Sequence, residues 1–344
     1  MSGSMALVVD QRGAALELGS HGTLVLRRAD GRRDRVGLRA LGSVVLHGDV
    51  QLSTGVLQAL AAAGVALAVL PLRSRAPAVG FTQLPHRHAT LRHQQHLAYE
   101  DAARRLALAS TVVAAKLQAM AAFAGARAPG AGDAWLPAFQ ALDTAGDLAV
   151  LMGVEGAATK RHFAGLQRVY GTNGPFRFKG RSRQPPADAP NALMSLGYTL
   201  AQSQATQLVL HAGLDVQLGF LHGLQRDRQS LALDLLEPAR SAVDGWVHEL
   251  LAGTGAITPA MFAPTLDGAM RLTAEGRAAF YPLWFAEGHR RVLRPMRDLL
   301  ARLLARLRLQ ANDGAPAAGA ADSAVPSLGT NSVMPVPDFA CMPG

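Results

Sequence analysis

Short apolar runs separated by turn-forming residues characterise the N-terminal part of the sequence. Four runs have the length of β-strands: residues 6–9, 15–18, 23–26 and 44–46. Asp30-Gly31 lies between two runs and predicts a hairpin turn. Ser53 or Thr54 caps a predicted helix, and residues 65–70 then return as a strand. The pattern indicates a small β-rich domain over residues 5–83.

From about residue 84 the apolar positions take helical spacing. The predicted helices cover residues 88–124 (one or two helices), 134–152, 191–212, 241–251 and 275–309. Asp188 precedes the third of them as a start signal. The fold class is therefore α+β, with the small N-terminal β-rich domain followed by a larger all-α domain over residues 84–311. Residues 312–344 are rich in Ala, Gly, Pro and Ser, and we expect them to be disordered.

Composition and charge narrow the class of protein. The chain has 344 residues, is 49% hydrophobic and carries a formal net charge of +9. That balance favours polyanionic partners, nucleic acid before an anionic membrane surface. The single cysteine, Cys341, excludes an intramolecular disulfide and a Cys-based zinc site. Residues 50–72 carry no charge, but polar residues, Gly64 and Pro71 interrupt them, so we expect no membrane span and a cytoplasmic protein.

Three segments place acidic or imidazole side chains in apolar surroundings. Glu155 lies close to Gly153 and Gly156 after an apolar stretch, and His222 ends another. Asp234 and Glu237 lie in a segment of aliphatic and small residues that ends at Pro238. Buried carboxylates need partners. A Mn²⁺ or Mg²⁺ ion would satisfy several of them at once, and an imidazole ligand favours Mn²⁺.

Each of these residues also has a structural interpretation. A lone His is usually a core residue, and an Asp/Glu pair three residues apart is usually a capping or ion-pair device. Glu155 could pair with Arg161 or cap a neighbouring helix. A helical face would bring Asp234 and Glu237 together, but a proline disfavours the helical region for the residue before it. The pattern leaves open which of these two acids would reach a cation.

Basic residues surround the same segments. The candidate DNA-binding residues are Lys160, Arg161, Arg177, Lys179, Arg181, Arg183, Arg226 and Arg228. Four of them lie within residues 177–183, a loop framed by glycine and proline. The loop either grips phosphates or is a solvated basic loop without a ligand.

Several motifs resemble the CRISPR adaptation integrase and endonuclease family (Cas-one). The motifs that carry the resemblance are residues 48–53, 153–158, 185–200, 213–222, 230–244 and 273–277. They occur in the family's order over about residues 5–295. His162 and two residues around Arg240 (Ala239 and Ser241) depart from the family pattern. The positions of the family's metal ligands, Glu155, His222 and Glu237 in this sequence, match it.

The resemblance implies a fold, a site and an activity. It implies a β domain and a helical domain with one metal site, formed by Glu155, His222 and Glu237 with Asp234 beside them. It implies homodimers that dock on a small ferredoxin-like partner (Cas-two) and act on double-stranded and branched DNA. The expected reaction joins a prespacer 3′-hydroxyl to a phosphodiester of the CRISPR repeat by transesterification. The alternatives are a transposon-borne integrase of the same fold and a non-catalytic DNA-binding scaffold.

Overall fold

The computed structural model describes residues 5–70, 79–81, 89–128, 130–171, 174–182, 184–253 and 255–313. The N-terminal strands are β1 (Met5–Val9), β2 (Ala15–Leu18), β3 (Thr23–Arg27), β4 (Arg33–Gly37), β5 (Leu41–His47), β6 (Gln51–Leu52), β7 (Ala66–Leu70) and β8 (Val79–Phe81). Helix α1 (Thr54–Ala62) lies between β6 and β7. This N-terminal part is strand-rich and precedes a helical domain, so the predicted α+β class is confirmed.

Two four-stranded sheets build the N-terminal domain. One has the order β1-β5-β7-β8, in which β5 pairs in parallel with β1 and β7 while β8 is antiparallel to β7. The other has the order β4-β3-β2-β6. Their apolar side chains share a core with α1 that includes Leu16, Leu24, Val44 and Leu60.

Local signals in this domain act as predicted. The β3–β4 hairpin pairs Arg27 with Arg33 around the turn, and Gly31 takes a φ of +84° that an L side chain rarely adopts. The Asp30 carboxylate accepts the backbone N–H of Arg32 at 3.0 Å. Ser53 caps α1 by accepting the N–H of Val56 at 3.4 Å.

The second domain is built mainly of helices that pack against one another. Its helices are α2 (Ala89–Glu100), α3 (Ala102–Gly125), α4 (Leu136–Asp143), α5 (Leu148–Tyr170), α6 (Ala189–His211), α7 (Ser230–Ala252), α8 (Ala274–Leu283) and α9 (His289–Asp313). A π-helical turn, Trp284–Gly288, joins α8 to α9. A two-stranded hairpin, β9 (Phe262–Pro264) and β10 (Met270–Leu272), interrupts the helical architecture, so this domain is mainly rather than entirely α-helical.

Helix α3 has the length and composition of a membrane span. It is the one helix within the described ranges that meets this test, and half of its most apolar stretch is buried inside the fold. Leu108, Val112, Leu117 and Met120 lie in the same core as side chains of α5, α6, α7 and α9. The apolarity of α3 is therefore accounted for by the side chains that it contributes to this core.

Two predicted helices have different bounds in the structure. The expected single helix 134–152 is two helices, because the chain turns after Asp143 and Asp147 caps α5 by accepting the N–H of Val150 at 2.8 Å. The helix expected at 241–251 begins at Ser230 instead. Pro238 lies inside α7, where it removes one helical N–H donor. Most side chains of α7 are buried, and this packing outweighs the cost of the proline.

The two domains share an interface. Val45 and Leu70 of the first sheet belong to the core of the helical domain. Arg277 Nε lies 3.5 Å from an Asp10 carboxylate oxygen, and the His47 ring meets the Tyr281 ring edge to face at 6.2 Å. The predicted boundary at residues 83–84 and the predicted disordered tail lie outside the described residues, apart from residues 312–313, which are the last of α9.

Candidate active site

A cavity of about 190 Å³ lies among α3, α5, α6 and α7. Its lining includes Glu155 from α5, His222 from the loop before α7, and Glu237 from α7. Three side chains that the sequence singled out in separate segments therefore line one cavity. Asp234 is not part of this lining and lies behind His222.

Glu155 lies within α5 and not after a helix end. Gly153 and Gly156, the two glycines near Glu155, are both helical, so the helix continues beyond its predicted end at residue 152. The Glu155 carboxylate accepts a hydrogen bond from the Thr159 hydroxyl at 2.9 Å and forms an ion pair with the Lys116 ammonium. Arg161, considered as a partner from the sequence, lies instead over the Trp135 ring at 5.4 Å.

Glu237 is more enclosed than Glu155, because its side chain is 4% exposed against 25% for Glu155. Its Oε1 accepts a hydrogen bond from Arg240 Nε at 2.9 Å, and its Oε2 accepts one from Lys116 Nζ. Burial raises the pKa of Glu237, but the charges of Arg240, Lys116 and His222 outweigh burial and bring the pKa down to about 2. Glu237 is therefore a carboxylate at neutral pH.

Asp234 organises the loop that carries His222. It is fully buried, and its two oxygens accept four hydrogen bonds. Three come from the backbone N–H groups of Phe220, Leu221 and His222, at 2.6 to 3.1 Å. The fourth joins His222 Nδ1 to Asp234 Oδ1 at 2.7 Å. Burial lowers the pKa of His222, but this hydrogen bond and the charges of Asp234 and Glu237 outweigh it, and the pKa is raised.

These contacts distinguish Asp234 from Glu237, between which the sequence alone does not choose a cation ligand. Asp234 lies outside the cavity and accepts its four hydrogen bonds from the loop that carries His222, whereas Glu237 lines the cavity beside Lys116 and Arg240. The proline-based objection to a helical Glu237 is wrong, because Glu237 and Pro238 both lie within α7. Asp234 and Glu237 therefore have different surroundings although they are three residues apart on one helix.

The donors fit a divalent cation. Glu155 and Glu237 each place one oxygen on the same ammonium, so one cation is within reach of both. With Nδ1 bound to Asp234, His222 keeps Nε2 for a ligand, the common arrangement of a metal-binding histidine. In the part of the chain that the structure describes, no three His, Cys, Asp or Glu side chains are gathered into a ready-made metal site. The assignment of Glu155, His222 and Glu237 to Mn²⁺ or Mg²⁺ stays a prediction.

A second buried network, formed by His162, Tyr198 and Asp244, also lines the cavity. His162 Nε2 lies 2.8 Å from Asp244 Oδ2, and the Tyr198 hydroxyl donates to Asp244 Oδ1. Burial and the charge of Asp244 raise the pKa of Tyr198 well above its usual value, so its hydroxyl keeps its proton. His162 thus has a defined structural place despite its departure from the family pattern.

The predicted DNA-binding residues fall into two groups. Lys160, Arg161, Arg177, Lys179 and Arg226 are exposed. Arg181 is half-buried and donates to the Asn191 amide oxygen at 2.9 Å and the Ser195 hydroxyl at 3.0 Å. Arg228 donates to the Gly223 carbonyl at 2.6 Å. The guanidinium groups of Arg181 and Arg228 therefore make hydrogen bonds within the protein. Arg183 lies outside the described residues.

Lys116 is the site residue that the sequence analysis missed. It is the only charged residue between Arg105 and Arg127, and the chain has three lysines in all. A single ammonium inside a long apolar helix is the signal that could have revealed it, since a buried lysine requires a partner.

Residues 7–285 match the model of the family described as CRISPR associated protein Cas1. The chain belongs to the Cas1 (Cas-one) family. The CRISPR-associated endonuclease Cas1 1 of Thermus thermophilus is 34% identical over 281 residues, which cover 81% of this chain and 85% of the relative. The suspected resemblance is therefore confirmed.

Solved structures share the fold. A Cas1 protein from Thermotoga maritima matches with a TM-score of 0.78 and 23% identity, over 88% of this chain and 97% of that one. A casposase bound to integration product matches with a TM-score of 0.69 and 21% identity, over 87% of this chain and 83% of that one. A chain of a Cas6-RT-Cas1–Cas2 complex matches with a TM-score of 0.71 and 19% identity, over 89% of this chain and 35% of that one. At these identities the comparisons establish the fold alone.

Proposed function

We propose that this Cas1 family member is a divalent-metal-dependent DNA integrase and endonuclease that acts in spacer acquisition. The observation that carries the proposal is the meeting of Glu155, His222 and Glu237 in one cavity, with Asp234 holding the imidazole by Nδ1. The Thermus relative is named an endonuclease, and the casposase was captured with an integration product. Both names are consistent with phosphodiester chemistry on this fold.

The reaction exchanges one phosphodiester for another. A prespacer 3′-oxygen forms a new bond to phosphorus, the bond from phosphorus to the repeat's own oxygen breaks, and the 3′-hydroxyl proton passes to that leaving oxygen through solvent. Such a reaction needs no nucleophilic side chain. Mn²⁺ or Mg²⁺, when bound, would activate the attacking oxygen or neutralise charge that develops on the phosphate.

The chain's own residues supply the setting for this reaction. Glu155, His222 and Glu237 would hold the cation. Arg240 orients the Glu237 carboxylate through its 2.9 Å hydrogen bond and adds positive charge to the cavity wall. Asp234 fixes the imidazole orientation so that Nε2 can act as a ligand.

Partners follow from the same proposal. The exposed members of the basic set, Arg177 and Lys179 among them, would contact the phosphates of double-stranded and branched DNA. We expect a homodimer that docks on a small ferredoxin-like partner, Cas-two. The structural neighbour from a complex that contains Cas1 and Cas2 supports the Cas-two part of this expectation.

The experiment is strand transfer of a short labelled duplex into a supercoiled plasmid that carries a CRISPR repeat. It is run with Mn²⁺, Mg²⁺ or EDTA, with and without the partner protein. Glu155→Gln and Glu237→Gln should abolish transfer but keep DNA binding. The control is Glu249→Gln, which changes a half-exposed glutamate of the same α7 helix and should keep transfer. Full transfer in EDTA, or in both site variants, would refute the proposal.

The same assay addresses a transposon-type integrase, which the fold shared with a casposase keeps in consideration. Such an enzyme would insert without preference for the repeat. Plasmids with and without the repeat therefore distinguish the two functions. DNA binding without any strand transfer would indicate the non-catalytic scaffold.

A further inference from the structure

Lys116 holds the two cavity carboxylates together. It lies on α3, its side chain is 3% exposed, and its ammonium contacts Glu155 of α5 and Glu237 of α7. Three separate helices thus meet at one positive charge. Without that charge, two partly or fully buried carboxylates would lose the cation that they share, which is costly.

The ammonium occupies the place that a divalent cation would need. Its partners are Oε1 of Glu155 and Oε2 of Glu237, one oxygen from each predicted ligand. An ion that bound both carboxylates would compete for these oxygens. The lysine stem has four rotatable bonds, so the ammonium can leave without movement of α3.

We propose that Lys116 is a resident counter-ion, which holds the site together without metal and must be displaced when a divalent cation binds. The inference rests on the proposed function, because it assumes that Glu155 and Glu237 are metal ligands. It assigns Lys116 a role that neither a core lysine nor a DNA-binding lysine would have. The site then assembles before metal arrives, and metal affinity is set partly by the competing ammonium.

The first test measures Mn²⁺ binding by calorimetry in the absence of DNA. Lys116→Met removes the charge and keeps an unbranched side chain, and we expect it to bind Mn²⁺ about tenfold tighter or more, equivalent to about 1.4 kcal/mol. Arg294→Met is the matched control, because it removes an exposed cation outside the candidate DNA-binding set and should leave the affinity unchanged. Equal or weaker binding by Lys116→Met would overturn the inference. No Mn²⁺ binding by the wild type would overturn the metal site itself, and with it this inference.

The second test measures thermal unfolding of the same proteins. In EDTA, Lys116→Met should melt below the wild type, because two carboxylates lose their shared partner. Saturating Mn²⁺ should raise its melting temperature more than that of the wild type. Glu155→Gln combined with Lys116→Met should recover part of the loss in EDTA. Additive losses in the double variant would contradict the pairing.

A third measurement needs no variant at the site and therefore remains valid if Lys116→Met does not fold. The chain has only three lysines, so ¹³Cε-lysine NMR gives three signals, and Lys160→Met and Lys179→Met assign the two exposed ones. Titration with diamagnetic Mg²⁺ should shift the Lys116 signal and leave the others in place. An unmoved Lys116 signal at saturating Mg²⁺ would mean that the ammonium stays where it is, which refutes displacement.

Discussion

Asp234→Asn tests how the cavity's histidine is held. The substitution keeps the side-chain shape but replaces one acceptor oxygen by an amide donor. In one orientation the new amide faces the N–H groups of Phe220 and Leu221, which Asp234 Oδ2 accepts at 2.6 and 3.1 Å. In the other it faces the N–H and Nδ1 of His222. Neither orientation satisfies all four donors.

The two orientations have different costs. A buried N–H without an acceptor costs about 1–3 kcal/mol, so the first orientation costs about 2–6 kcal/mol. The second leaves one backbone N–H unpaired, at about 1–3 kcal/mol, and turns His222 Nδ1 into an acceptor. The imidazole proton then moves to Nε2, the nitrogen that a metal would need. We therefore expect the second orientation, with a moderate loss of stability and a Mn²⁺ affinity lower by about 10–100-fold.

Urea unfolding in EDTA measures the loss of stability, and calorimetric Mn²⁺ titration without DNA measures the change in metal affinity. Asp227→Asn is the control: Asp227 lies in the same connection before α7, is exposed, and has a φ of +59°, which asparagine tolerates well. If Asp234→Asn changes the free energy of unfolding by less than about 0.5 kcal/mol and leaves the Mn²⁺ affinity unchanged, the reasoning is refuted.

Three further predictions concern the rest of the molecule. Burial and the charge of Arg277 lower the pKa of His47 from the usual 6.5 to about 4, so the unfolded chain binds this proton more readily than the folded one. The free energy of unfolding should therefore fall as the pH drops from 6.5 towards 4. His47→Gln should flatten this dependence in melting curves. Replacing exposed Arg177 and Lys179 by Ala should flatten the slope of log K for DNA against log[salt] by up to about two units, measured by anisotropy; an unchanged slope would exclude phosphate contacts there. Light scattering should give a homodimer, and a monomer at micromolar concentration would contradict this.

Local capping and turn signals were sufficient to predict much of the fold. Ser53 and Asp188 cap α1 and α6 as expected, the latter by accepting the N–H of Asn191 at 2.8 Å. The Asp30-Gly31 turn joins β3 to β4. Each of these features is set by the conformational preference of a few neighbouring residues, so a single sequence is enough to find it.

Features that depend on distant packing were harder to predict. The proline at position 238 indicated a break, yet α7 runs through it because most of its length is buried against α3, α6 and α9. In the opposite direction, a continuous apolar pattern predicts one helix over residues 134–152, whereas the structure has two, the second of which is capped by Asp147. Local rules assign a cost to a proline or a cap, but only the tertiary contacts determine whether that cost is outweighed.

The candidate site shows the same division between local pattern and spatial arrangement. Sequence reasoning started from the cost of burying Glu155 and Glu237 and inferred a cation as their partner. The structure supplies cationic partners from the protein itself, Lys116 and Arg240. Charge compensation therefore cannot by itself argue for a metal here. The stronger argument is His222, because a buried carboxylate fixes its Nδ1 while the ring lines the cavity beside Glu155 and Glu237, an arrangement that ion pairing of the acids alone would not require.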